Sequence, residues 1–388
     1  MVFNPMLVRP PPRLQEPGPS TPTLPQAASA ALELSVIVPS FNERANVAPL
    51  VSRLATVLAG IDWEVIYVDD DSPDGTAAHV RELAQTNRRV RCVHRVGRRG
   101  LASAVIEGIL ASSAPYVAVI DADLQHDEAL LPQMFDLIRR DDLDVVIGSR
   151  YVAGGDTGDW DGHRATLSRL ATRLSRMVVQ QPLHDPMSGF FLMTRPAFDR
   201  TVHRLSGQGF KILLDLFASA PAPYRFAELP YTFRTRVCGE SKLDSLVVWE
   251  YLMLLLDKRI GHIVPARFAV FAAVGASGVA VHLVALRLLL LTLPFSAAQL
   301  LATLVAMTTN FAINNALTYR DRRLHGWRFL RGLLTFFAIC SVGAVANVGI
   351  ASAVFERDYS WWVSGMAGAV VGAVWNYAVT SLFTWRVR

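Results

Sequence analysis

Cysteine is scarce in this 388-residue chain, and its three residues, Cys92, Cys238 and Cys340, stand far apart. No two have the spacing of a zinc site or a disulfide framework, so both classes are excluded. The three thiols are read as small buried side chains in a reducing compartment. Charge is also sparse: 18% of residues are charged against 52% hydrophobic. Mean hydropathy is +0.29, which is too apolar for an ordinary soluble enzyme. The N-terminus lacks the apolar stretch of a secretory leader. Residues 1–32 hold many prolines, few large apolar residues and no periodicity, and are expected to be a disordered tail. The formal net charge is +5. The arginines gather beside apolar segments, which points to anionic lipid headgroups and away from nucleic acid.

What is present divides at about residue 265. Before it, short β-rich runs alternate with amphipathic helical ones, the pattern of a doubly wound parallel sheet. Strands are expected over 35–39, 64–68, 90–94, 116–120 and 144–148, with helices over 45–58 and 101–112. Each strand ends in polar or acidic residues, which sets those residues along one rim, where open α/β sheets bind ligands.

The central rim motif is Asp121-Ala122-Asp123-Leu124-Gln125-His126. Carboxylates two residues apart share a face in extended chain, and they repel unless a cation lies between them. A hard divalent ion gripping a diphosphate is one reading, and a solvated loop or helix cap is the other. Pro39, Phe41 and Glu43 offer a base pocket, with Phe41 as a stacking face, or else a plain helix entry. Asp69, Asp70 and Asp71 are three carboxylates in a row, too dense for a plain turn, and one or two are expected on the base or ribose. Gly97-Arg98-Arg99-Gly100 is a basic loop suited to phosphates or to solvent. Arg164 and Ser168 lie one turn apart near the start of a helix, a pairing that suits a phosphate monoester. Asp185-Pro186-Met187-Ser188-Gly189-Phe190 is a tight turn, and Gly209-Phe210-Lys211 opens a further helix. The basic stretch around Arg234, Arg236 and Lys242 is placed to close over a charged ligand.

This ordered series resembles the family 2 glycosyltransferases of GT-A fold, and within them the dolichyl- or polyprenyl-phosphate mannose synthases. The matching residues run from Val36-Ile37-Val38-Pro39-Ser40-Phe41-Asn42-Glu43, through the triple aspartate with Ser72-Pro73-Asp74-Gly75-Thr76 and the D-x-D, to Gly148-Ser149-Arg150-Tyr151. They continue with residues 185–190 and Gly239-Glu240-Ser241-Lys242-Leu243. Asp127 and Glu128 depart from the pattern, since such enzymes often carry prolines there. The resemblance implies Asp123 and Gln125 as ligands of Mg²⁺ or Mn²⁺, and Asp121 as a contact to the sugar or to the metal's surroundings. It implies Pro39, Phe41, Glu43, Val68 and Asp70 as nucleotide contacts, and Arg150, Arg164 and Ser168 as the lipid-phosphate site. Arg236, with Lys242, is implied as the neutraliser of diphosphate charge, with Arg234 the competing candidate. The implied reaction is single-displacement transfer of mannose from GDP-mannose to a polyprenyl phosphate, of the dolichyl-phosphate β-D-mannosyltransferase type. A UDP-hexose donor and a lipid-linked sugar translocase with a nucleotide-binding domain remain as alternatives.

The domain expectation is a tail over 1–32, a GT-A domain over 33–244, an amphipathic interfacial helix over 245–264 and a membrane domain over 265–388. Four apolar stretches, 268–291, 295–319, 329–353 and 361–385, are each long enough to span a bilayer. Arg320, Arg322 and Arg323 fall between the second and third and Arg331 just inside the third, which puts both chain ends and the catalytic domain in the cytoplasm. The setting expected is the plasma membrane of a prokaryote. This half resembles the four-helix GtrA-like domains. Asn310, Asn314, Asn315, Asn347 and Asn376 are polar within those spans, and small residues there allow close packing, including with other copies of the chain.

Overall fold

Seven consecutive buried residues, Leu34–Ser40, form β1 and show why the first half folds as it does. A strand covered on both faces reads as a continuous β-branched run, and β1 sits in the middle of the sheet. The structure, a computed structural model, describes residues 31–156, 171–207, 209–234, 245–261, 263–357 and 359–385. Arg164, Ser168, Arg236 and Lys242 lie outside the described residues.

In chain order the first half runs β1, α1 (Arg44–Val57), β2 (Trp63–Asp69), α2 (Thr76–Thr86), β3 (Val90–His94), α3 (Leu101–Ala111), β4 (Tyr116–Val119), α4 (Leu131–Arg140) and β5 (Val145–Ser149). It continues with β6 (Phe191–Thr194), α5 (Arg195–Asp199), α6 (Ile212–Ser219) and β7 (Phe226–Pro230). The sheet order is β3-β2-β1-β4-β6-β5-β7. β1 pairs parallel with β2 and β4, β2 with β3, and β5 with β7. β6 runs antiparallel to both β4 and β5. The sheet is therefore mixed but mostly parallel, as expected, with β6 the one reversed strand among the described residues.

Alternation along β1 divides the core in two. Val36 and Val38 pack with Leu50 and Leu54 of α1 and Met134 and Phe135 of α4. Ile37 faces the other way, onto Val105 and Ile109 of α3 and Leu213 of α6. β1, β2, β4 and β5 all end on one rim. Because β6 is reversed, the turn that precedes it, through Ser188 and Phe190, arrives at that same rim.

The second half is helical: α7 (Ser245–Ile260), α8 (Ala266–Leu289), α9 (Phe295–Ala316), α10 (Trp327–Phe355) and α11 (Trp361–Phe383). α7 buries Tyr251, Leu254 and Leu255 in the α3-side core of the sheet domain. Lys258 anchors it further, with Nζ 2.6 Å from Asp215 Oδ1. Its Val248 and Leu252 stay 49% and 43% exposed, so α7 has one face on the protein and an apolar face outside. By length and composition, α8 and the Trp327–Asn347 part of α10 are able to cross a membrane among the described residues. These are two of the four spans expected from the sequence. α9 is diluted by Gln299, Asn310, Asn314, Asn315 and its threonines, and the apolar stretch found in α11 is Val370–Phe383.

Candidate active site

The D-x-D turn is built on a strained residue. Leu124 has φ 62° although it is buried, a left-handed conformation that costs a non-glycine side chain energy and that clusters at functional sites. The reversal brings the Gln125 N–H to Asp123 Oδ1 at 3.2 Å. Gln125 then donates from Nε2 to the Arg234 carbonyl at 3.0 Å, while the Arg234 N–H donates to the Gln125 carbonyl at 2.8 Å. This two-way bridge commits the amide nitrogen, fixes the flip of the side chain and presents Oε1 as its other end.

His126 supports the turn from below. Its Nδ1 accepts the Asp121 N–H at 3.2 Å, so the neutral ring carries its proton on Nε2, 3.8 Å from Asp121 Oδ2. The ring stacks on Phe190 at 5.3 Å and meets Tyr231 and Phe233 edge-on. Burial among them lowers its pKa to about 4, which keeps it neutral. Gly189 approaches from β6's turn so closely that a Cβ there would lie 3.1 Å from Asp121 Oδ2.

Asp123 and Gln125 thus offer a carboxylate and an amide oxygen on one rigid turn, a hard-oxygen donor set that fits Mg²⁺ or Mn²⁺. Among the described residues no group of three or more His, Cys, Asp or Glu side chains converges as a metal cage. A site with so few protein ligands needs substrate phosphate and water to complete the shell.

The expected nucleotide residues gather at one corner. Pro39 and Val68 are register partners at the end of the β1–β2 ladder, and Phe41 and Glu43 follow directly. Phe41's ring is covered by Arg99, whose Cζ lies 4.1 Å from the centroid. The triple aspartate is spent on the protein's own loops. Asp69 caps Ser72, accepting from its N–H at 3.0 Å and its Oγ at 2.6 Å. Asp70 takes the buried Arg95 guanidinium at 2.5 Å and the Gly100 N–H at 2.7 Å. Asp71 takes the Gly97 N–H and pairs with His94, both at 3.0 Å. Burial raises the pKa of Asp70 despite Arg95, whereas the Gly97 N–H and His94 lower that of Asp71. Together Asp70 and Asp71 pin both ends of the loop that carries Arg99 over Phe41. Arg95 was not legible as part of this corner, and no local signal marks it.

Arg150 is locked in a bidentate pair with Asp185, with Nε and Nη2 each at 2.8 Å. Burial alone favours loss of its charge, but Asp185 outweighs that and raises its pKa. Asp185 in turn accepts the Arg150 N–H and donates its own N–H to Glu228. The pair is neutral overall, so Arg150 brings directed N–H groups and little net field to the rim. Arg234 turns its guanidinium onto Asp127 and Glu128, at 2.6 and 2.7 Å. Those two acidic residues are the departure noted in the sequence, and Arg234 is what they hold. Lys211, absent from the expected site residues, reaches this rim. Its Nζ is 3.5 Å from the Met187 carbonyl and its charge acts on His126. The Gly209-Phe210-Lys211 helix entry was its only sequence signal.

The profile of glycosyl transferase family 2 matches residues 35–202, and that of the GtrA/DPMS transmembrane domain matches residues 270–385. The dolichol-phosphate mannosyltransferase of Pyrococcus furiosus is 33% identical over 359 residues, covering 91% of this chain and 99% of that protein. The Saccharomyces cerevisiae dolichol-phosphate mannosyltransferase is 37% identical over 239 residues, 58% of this chain and 87% of its own. Among solved structures, glucosyl-3-phosphoglycerate synthase from Mycobacterium tuberculosis with Mn²⁺, UDP-glucose and phosphoglyceric acid aligns with TM-score 0.44 at 20% identity, over 59% of this chain and 80% of that one. A GT-A-like mixed sheet leads into helices of membrane length, and the first of these relatives matches along both halves. The chain accordingly belongs to the dolichol-phosphate mannosyltransferase family, as a family 2 glycosyltransferase fused to a GtrA-type transmembrane domain and an integral membrane protein.

Proposed function

We propose that this enzyme moves mannose from GDP-mannose to a polyprenyl phosphate, giving the β-linked mannosyl phosphate lipid. The observation that carries this reading is the match to a dolichol-phosphate mannosyltransferase over 99% of that protein's length, together with the rigid Asp121–Asp123–Gln125 turn at the sheet's ligand-binding rim.

The guanine base lies on the Phe41 face, beside Pro39, Val68 and Glu43, with Asp70 acting through the loop it pins. Asp123 and Gln125 would hold the divalent ion, which would supply positive charge to the nucleoside diphosphate. Asp121, oriented by its backbone bond to His126 and by the close passage of Gly189, addresses the sugar hydroxyls. Neutral His126 keeps that carboxylate's surroundings dry. Lys211 and Arg236, with Lys242, balance the diphosphate, while Arg234 serves as the strut between the turn and β7's extension. Arg150, Arg164 and Ser168 receive the lipid phosphate. A phosphate oxygen is already ionised at neutral pH, so no general base is required, and a single displacement inverts the anomeric centre. That chemistry needs charge and position more than proton transfer.

The exposed apolar face of α7 lies in the membrane interface and brings the rim to the lipid phosphate. α8 to α11 cross the membrane four times, with both chain ends and the arginine-rich turn after α9 in the cytoplasm. Equilibrium binding separates the donor classes. GDP is expected to bind at least tenfold tighter than UDP in Mg²⁺ or Mn²⁺. Equal affinities, or a preference for UDP, contradict the guanine reading and favour a UDP-hexose donor.

A further inference from the structure

The two helix pairs of the membrane half share a sequence. Asn310-Phe311-Ala312-Ile313 in α9, followed by Thr318-Tyr319-Arg320 and Arg322, matches Asn376-Tyr377-Ala378-Val379 in α11, followed by Thr384-Trp385-Arg386 and Arg388, at identical spacing. The helices that precede them match as well. Phe271 and Gly278 of α8 stand seven residues apart, as do Phe336 and Gly343 of α10.

Equivalent residues make equivalent contacts inside each hairpin. A Cβ on Gly278 would collide with the Asn310 amide, and one on Gly343 would collide with that of Asn376. Four residues on, Asn314 donates to the Asn310 carbonyl at 3.0 Å and Thr380 donates to the Asn376 carbonyl at 2.5 Å. Asn310 Oδ1 and Asn376 Oδ1 are both buried without a hydrogen bond among the described residues.

The contacts between hairpins are reciprocal. Phe271 of the first meets Tyr377 of the second with ring centroids at 5.6 Å, and Phe336 of the second meets Phe311 of the first at 5.5 Å. Tyr319 and Trp385, which are equivalent to each other, stack at 4.0 Å with planes 6° apart. Residue i of one copy meeting j of the other, and j meeting i, is the signature of a two-fold interface, and a position that meets its own equivalent lies on the axis. Both hairpins start from the same side, so the axis runs along the helices. One departure has a cause: Asn315, equivalent to Ser381, accepts the Leu324 N–H at 2.8 Å and the Trp385 Nε1–H at 3.1 Å. It ties down the turn between hairpins, which exists only once.

We propose that the membrane half is one helical-hairpin module present twice, and that its aromatic end is a self-recognition surface whose partner is a second copy of the same hairpin. Tyr319 and Trp385 close this surface on the axis.

The test uses the full chain in detergent, reading the thermal unfolding midpoint of the membrane half. Phe271→Leu, Tyr377→Leu and their double variant form one cycle, and Phe336→Leu, Phe311→Leu and their double variant form the other. Each single change is expected to lower the midpoint by on the order of 2–4 °C, with non-additive doubles of like size in both cycles. The exchange variant Phe311→Tyr with Tyr377→Phe removes no ring and is expected to melt within about 2 °C of the parent. Coupling in one cycle only overturns the proposal. So does an exchange variant that melts below the sum of its two single changes, which decides the matter alone if the leucine variants fail to fold.

Discussion

Replacing Asp185 with alanine strips the counterion from a buried guanidinium. The Arg150 side chain is 8% exposed and that of Asp185 0%, so solvent cannot take over the charge that the carboxylate now balances. Breaking such a pair from one side costs about 3–5 kcal/mol, because the remaining charge is stranded. The bond from the Arg150 N–H to Asp185 Oδ2, at 3.1 Å, goes with it. For a domain of this size the loss corresponds to a fall in melting midpoint on the order of 10 °C. The comparison within the same sheet domain is Arg225 with Asp142, whose side chains are 58% and 87% exposed. Asp142→Ala there is expected to cost at most about 1 kcal/mol. Tryptophan fluorescence or light-scattering melts of the detergent-solubilised enzyme measure both. Asp185→Leu combined with Arg150→Met, which removes both charges, is expected to regain most of the stability while transfer stays impaired. A shift below 2 °C for Asp185→Ala, or one equal to that of Asp142→Ala, refutes the reasoning.

Arg99→Ala exposes the Phe41 face, and since a cation–π contact at an exposed site is worth about 0.5–1 kcal/mol, GDP is expected to bind about two- to fivefold tighter by calorimetry. Weaker binding would show that the guanidinium helps the nucleotide. Gly189→Ala sets a Cβ 3.1 Å from Asp121 Oδ2, and the displaced carboxylate is expected to lower kcat about tenfold with an unchanged melt; parental kcat contradicts a positional role for Asp121. Lys211→Met is expected to reduce kcat/KM at least tenfold, on the order of the loss of one charged donor, and parental donor kinetics would remove Lys211 from the site.

Strand positions in the first half were legible because a parallel sheet covered on both faces demands continuous Val and Ile runs, as at Leu34–Ser40. β6 was not, since the direction of a four-residue strand is set by its neighbours β4 and β5, and nothing within Phe191–Thr194 encodes it. The rim itself was visible as polar residues at successive strand ends. How those residues are spent was not. Asp69, Asp70 and Asp71 look like ligands in a linear reading, yet fan out to Ser72, Arg95 and Gly97. Arg150 and Arg234 likewise read as free cations, and their partners Asp185, Asp127 and Glu128 are found only once the fold brings the segments together. The hairpin duplication was present in the sequence from the start. It became evident only through reciprocal contacts, because apolar helices resemble one another without being copies.

Transfer of labelled sugar to a polyprenyl phosphate in membranes, with GDP-mannose and UDP-glucose compared in the presence and absence of Mg²⁺ or Mn²⁺, tests the central claim most directly. The account predicts metal-dependent label in the lipid fraction from GDP-mannose alone, abolished by Asp123→Ala. Label from UDP-glucose, or from GDP-mannose undiminished in Asp123→Ala, would contradict it.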